Sequence, residues 1–153
     1  MGQGGNVIAE LTADHRAAED IFARIDAQPV GHPERRHLVD RLTSELVRHA
    51  AAEEMHLYPS VRTHVPDGDA LADKEITTHG RITRMLKDLE GRNAVDPDFN
   101  DLVAKLKFEV AAHMREEEAE VFPELAAACP PEELDVLGQL VRRDKRMGPG
   151  ASS

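Results

Sequence analysis

The chain has 153 residues and a formal net charge of -10, an acidic balance that argues against a face for nucleic-acid phosphates or for anionic lipid. Its length fits one domain, expected over 1–153 and large enough to bury a real core without disulfide staples. A single cysteine, Cys129, leaves no internal disulfide, the N-terminus lacks the regions of a signal peptide, and no apolar run approaches the ~20 residues of a membrane span, so a cytoplasmic location is expected.

Ile8, Leu11, His15, Ala18, Phe22 and Ile25 recur at alternating steps of three and four. That is an amphipathic helix with a histidine set into its apolar stripe. The stretch AQPVGHPER (27–35) carries two prolines and a glycine and stops it. A second helix has Leu38, Leu42, Leu46, His49, Glu53 and Leu57 on one face. After a VPDGD turn a third has Ala72, Glu75, His79, Ile82, Leu86 and Leu89, closed by GRNAVDPD (91–98). The fourth has Leu102, Leu106, Val110, His113, Glu117 and Val121. Pro59 and Pro123 are expected to kink or end the second and fourth helices. PPEEL (130–134) starts a short C-terminal helix, expected over about 131–145, and 146–153 reads as a frayed, disordered tail. No strand-like alternation appears. The expected fold is all-α: an up-and-down antiparallel four-helix bundle over about 6–126, with the short C-terminal helix added.

Shifted by 64 residues, the chain aligns with itself without a gap. HRAAEDIFARID (15–26) lies over HGRITRMLKDLE (79–90), and HAAAEEMHLYP (49–59) over HMREEEAEVFP (113–123). His15 matches His79, His49 matches His113, and Glu53 and Glu54 match Glu117 and Glu118. Each half is one helical hairpin. It donates a His from its first helix and a His-x-x-x-Glu from its second. Positions i and i+4 of a helix share a face, so His49 and Glu53 reach one point, as do His113 and Glu117.

Six polar groups thus sit on stripes otherwise made of Leu, Ile, Val and Ala. Buried without partners they would cost several kcal/mol in total. Mutual hydrogen bonding is one compensation; metal is the other. Neutral imidazoles with carboxylates suit iron, zinc, manganese or copper, and two carboxylates from opposite hairpins are placed to bridge two ions. Glu75 replaces the core residue Leu11 in the repeat and stands one turn before His79. Two readings of it stay open. It is an extra ligand to one ion, leaving the other with an open position, or it reaches to water near the helix start. Glu54 and Glu118, rotated about 100° from the preceding carboxylates, are a solvated flank or a hydrogen-bonding support for a histidine. Tyr58 and Phe122 read as packing, His56 as a surface residue, and Cys129 as an inert thiol; His32, His37 and His64 have no spaced partner.

The motifs DHR with His15, HAAAEE with His49 and Glu53, His79, and HMREEE with His113 and Glu117 resemble the hemerythrin-like, or HHE cation-binding, domain family over roughly 6–126. The resemblance implies a four-helix bundle holding two non-haem Fe ions, bridged by the two carboxylates and an oxo or hydroxo group. It implies binding of, or reaction with, O2, peroxide or nitric oxide. Oxygen-carrying hemerythrins have a further third-helix histidine, where this chain has Thr83. That departure turns the expectation from bulk O2 carriage toward oxygen or redox sensing and stress response, with signalling left to a separate protein partner. Catalase-like peroxide decomposition and iron buffering are the alternatives. Ferritin-like di-iron proteins use an i, i+3 Glu–His pair, and the i, i+4 His–Glu pair here departs from it.

Overall fold

The first helix, α1 (Val7–Ala27), opens at Asn6, whose side-chain oxygen accepts from the Ala9 N–H and satisfies a donor that the first turn leaves free. It ends at Gln28, extended as the residue before a proline prefers. These and the following elements are those of a computed structural model that describes residues 5–147. The second helix, α2 (Glu34–Ala52), passes without a break into a π-helical turn (Glu53–Leu57) and then α3 (Tyr58–His64). Asp67, with φ at 59°, turns the chain into α4 (Gly68–Leu89). A Cβ on Gly68 would overlap the Val61 carbonyl, so only glycine fits that corner. α5 (Phe99–Glu116) likewise runs through a π turn (Glu117–Val121) into α6 (Phe122–Ala128), and α7 (Pro131–Met147) follows. No strand occurs among the described residues, and none of their helices is long and apolar enough to cross a membrane.

Pro59 and Pro123 act differently from a simple stop. A proline has no N–H and its ring collides with the carbonyl four residues back. The chain relieves this by widening the preceding turn. The Tyr58 N–H reaches back five residues to the Glu53 carbonyl, and the Phe122 N–H does the same to Glu117. The helices go on past both prolines. Isolated π turns of this kind concentrate at functional sites. Here both begin on the repeated glutamate.

Two apolar clusters fill the interior. One includes Ile21, Phe22, Leu42, Leu86, Phe99 and Leu106; the other includes Val7, Leu11, Leu57, Ala72, Val121 and Leu125. α1 and α4 run from the second cluster to the first, while α2 and α5 run from the first to the second. On α1 and α4, His15 and His79 fall between residues of the two clusters, and the His49–Glu53 and His113–Glu117 pairs lie where each second helix passes from the first cluster to the second. Leu106 is fully buried, and truncating it to Ala would cost about 2–5 kcal/mol.

α7 lies along α1, with Gly138 against the backbone of Asn6. Arg142 and Lys145 both hold Glu10, at 3.0 Å each, and Asp144 reaches His56 Nε2 at 2.8 Å. The helix outlasts its expected end by two residues, Arg146 and Met147. The remainder of the expected tail, 148–153, lies outside the described residues.

Candidate metal centre

Between the two clusters the structure brings together His15 from α1, His49 from α2, His79 from α4 and His113 from α5. With them are Glu53 and Glu117, each at the first position of a π turn. The four histidines are 2–7% exposed and both glutamates 0%, so the polar layer is shut off from solvent. Potential ligand atoms of His15, His49, Glu53 and Glu117 lie within 4.8 Å of one another, as do those of Glu53, His79, His113 and Glu117. Both carboxylates belong to both groups. Glu117 Oε1 lies 3.1 Å from His15 Nε2 and 3.6 Å from His113 Nε2. Glu53 Oε1 lies 2.9 Å from His79 Nε2, and its Oε2 lies 3.1 Å from His49 Nε2.

Every ring therefore turns its Nε2 inward. Each Nδ1 faces outward onto another carboxylate. His15 meets Glu118 at 2.6 Å, His79 meets Glu54 at 2.8 Å, His49 meets Asp14 at 2.9 Å and His113 meets Glu75 at 3.0 Å. Such a carboxylate fixes the tautomer and orientation of a metal-binding imidazole and raises its basicity. Glu75 thus stands on the outer side of His113, outside both four-donor groups. It is fully buried rather than turned to water.

Charge differs between the two Asp/Glu partners of the second-helix histidines. Burial pushes the Asp14 carboxyl up, but His49 and Lys145 outweigh it and hold the pKa down at about 2. Lys145 of α7 comes within 2.9 Å of Asp14, and Arg48 within 3.4 Å. Burial dominates at Glu75 and lifts it to about 7. Burial lowers the His49 imidazole, yet the charge of Glu53 and the contact with Asp14 raise it well above its ordinary value.

Tyr58 is part of this layer. Its hydroxyl lies 2.9 Å from Glu117 Oε2 and 3.2 Å from both Glu53 Oε1 and His79 Nε2. Burial, then the charges of Glu53 and Glu117, raise its pKa, so the phenol keeps its proton and donates it to a carboxylate. At about 100° per residue an ordinary helix would put position i+5 about 140° from Glu53, on another face. The π turn brings it back. Phe122, the repeat mate, lacks the hydroxyl and stacks on His15 at 5.6 Å between centroids.

A cavity of about 250 Å³ adjoins the layer, walled by all four histidines together with Leu46, Ile82, Leu86, Val110 and Met114. Thr83 lines it too, on its exposed side. His56, expected at the surface, is instead 8% exposed beneath α7. Burial, with help from Glu133, pushes the Cys129 thiol up to about 11 and keeps it protonated.

The donor set fits a pair of cations. His49 Nε2 and Glu53 Oε2 are enclosed and have no hydrogen-bond partner, and the Nε2 atoms of His79 and His113 face each other at 3.2 Å. Unpartnered buried polar atoms of this sort cost about 1–3 kcal/mol each, which a shared cation would remove.

A curated protein of Nostoc sp. described as a DNA nickase is 28% identical over 123 residues, 78% of this chain, but the chain spans only about a third (33%) of that relative's length. The crystal structure of a hemerythrin HHE cation binding domain-containing protein from Mycobacterium kansasii superimposes with a TM-score of 0.82 at 24% identity, covering 94% of this chain and 87% of that one, and so shares its fold. The model of the hemerythrin HHE cation binding domain matches residues 6–125, and the chain belongs to that family.

Proposed function

We propose that this is a non-haem di-iron protein that binds or reacts with O2, peroxide or nitric oxide, in oxygen or redox sensing or in a stress response. The sharing of Glu53 and Glu117 between two four-donor groups carries the reading. His15 and His49 would hold one ion, His79 and His113 the other, with the two glutamates common to both. Iron so held supplies redox chemistry and affinity for small diatomic molecules and peroxide. The chain's own residues do the rest. Asp14, Glu54, Glu75 and Glu118 orient the four rings from their Nδ1 side. Tyr58 holds a proton against Glu117. The cavity has room for several water-sized molecules, and its aliphatic wall favours small uncharged ones. The opposite order in which successive long helices pass the two clusters supports an up-and-down four-helix arrangement within a single domain.

The test is to load the protein with ferrous iron without oxygen, count iron per chain, and then expose it separately to O2, peroxide and nitric oxide. Two irons per chain and a new visible absorption with at least one of the three are expected. A reversible band on O2 marks a binding protein, and sustained gas evolution from peroxide marks a catalase-like enzyme. Failure to take up iron, or a spectrum that none of the three alters, would overturn the reading.

A further inference from the structure

A second cluster of donors lies apart from the His/Glu layer and shares no residue with it. His64 ends α3, Cys129 caps α6 and Glu133 stands in the first turn of α7. Their ligand atoms all come within 4.8 Å of one another, with His64 Nε2 at 3.0 Å from Glu133 Oε1. His64 thus meets Cys129 and Glu133 across 65 and 69 residues of chain. The Ser60 hydroxyl donates to Glu133 Oε2 at 2.7 Å and fixes that carboxylate.

We propose that His64, Cys129 and Glu133 form a divalent-metal site of zinc type at the junction of α3, α6 and α7. An imidazole, a thiolate and a carboxylate make a three-ligand set with a fourth position left for water, the pattern of zinc sites that keep an open position. The thiolate sets its selectivity: it favours zinc or cobalt over magnesium, calcium and manganese. The cation takes the place of the thiol proton, and thiolate plus carboxylate cancel its two charges. Cys129 is 4% exposed, so the sulfur is sheltered. The side chains of His64 and Glu133, 24% and 37% exposed, leave an entry path. A cation here pins the start of α7, which also carries Lys145 to Asp14, onto the far ends of both π-bearing helices.

The experiment uses iron-loaded protein and adds cobalt(II). The His/Glu layer contains no sulfur, so a cobalt–thiolate charge-transfer band reports on this site alone, whatever the iron centre does. One band per chain is expected, abolished by stoichiometric zinc and absent from Cys129→Ser with iron content unchanged. His64→Ala and Glu133→Gln should each lose the band at stoichiometric cobalt. Zinc should also protect Cys129 of the unaltered protein from a thiol-alkylating reagent, a readout that needs no variant. Absence of both band and protection overturns the proposal. So does a band that survives in both His64→Ala and Glu133→Gln, which would mean cobalt on an isolated cysteine.

Discussion

The two hairpins meet at one polar layer but support their second histidines by different means. His49 leans on Asp14, which belongs to α1 and is surrounded by Lys145 and Arg48. His113 leans on Glu75, which belongs to α4 and has no ion pair with a lysine or arginine among the described residues. The two supports are not repeat mates: Asp14 corresponds to Thr78 and Glu75 to Leu11. Each half has placed a carboxylate behind the same imidazole from a different register of its first helix. The supports that are repeat mates, Glu54 and Glu118, cross over to the histidine of the opposite half. The need for a carboxylate on each Nδ1 is therefore stricter than the residue number that meets it. The surroundings then make one support a firm anion and leave the other close to neutrality.

The largest test of the comparison strikes what the halves share. Glu117→Ala should remove both ions, whereas His15→Ala should cost mainly the one it serves; metal analysis of the two purified variants decides, and a Glu117→Ala protein that retains one full equivalent would show the carboxylate is not common. A smaller effect is expected where the halves differ. Glu75→Leu, which restores the repeat, should weaken binding of the His113-side ion about 10–100-fold by calorimetric titration. In the metal-free protein the same variant should lower stability, since a protonated His113 loses the carboxylate 3.0 Å from its Nδ1 and stays buried. Equal weakening of both ions would break the assignment of Glu75 to one side.

The dependence on pH sharpens the same contrast. Burial lowers the His113 imidazole, but Glu53, Glu75 and Glu117 outweigh it and raise the pKa from 6.5 to about 10. A pKa raised on folding contributes stability below about 6.5 that is lost as pH climbs toward 10. Chelator-stripped protein should accordingly melt at lower temperature as pH rises through that window. Metal uptake should strengthen over the same range, because each ion displaces protons from its imidazoles. The smallest change is Tyr58→Phe, which makes the residue match Phe122. It should cost about 1 kcal/mol in a urea melt, the scale of one hydrogen bond, and leave iron stoichiometry intact.

Much of this was readable from the string of residues, for a physical reason. The repeat of 64 residues carries the helix period, so polar residues in apolar stripes stand out twice, and His15, His49, Glu53, His79, His113 and Glu117 emerge together. Tyr58 was hidden because counting at 3.6 residues per turn fails across a π turn, and nothing but the proline after it signals one. Asp14 was hidden because it adjoins His15 and falls about 100° off the stripe. His56 was misjudged because the helix that covers it, α7, lies outside the repeat and follows from no periodicity in the rest of the chain.

The common glutamates carry a consequence for assembly. Under the proposed loading, each hairpin would furnish three donors for one cation and borrow the fourth from across the seam. Neither half offers a full four-donor group alone, so on that reading loading would follow the docking of the two halves. Ions seated there would act as rivets through that seam, and drawing the halves apart would then mean tearing a carboxylate from both.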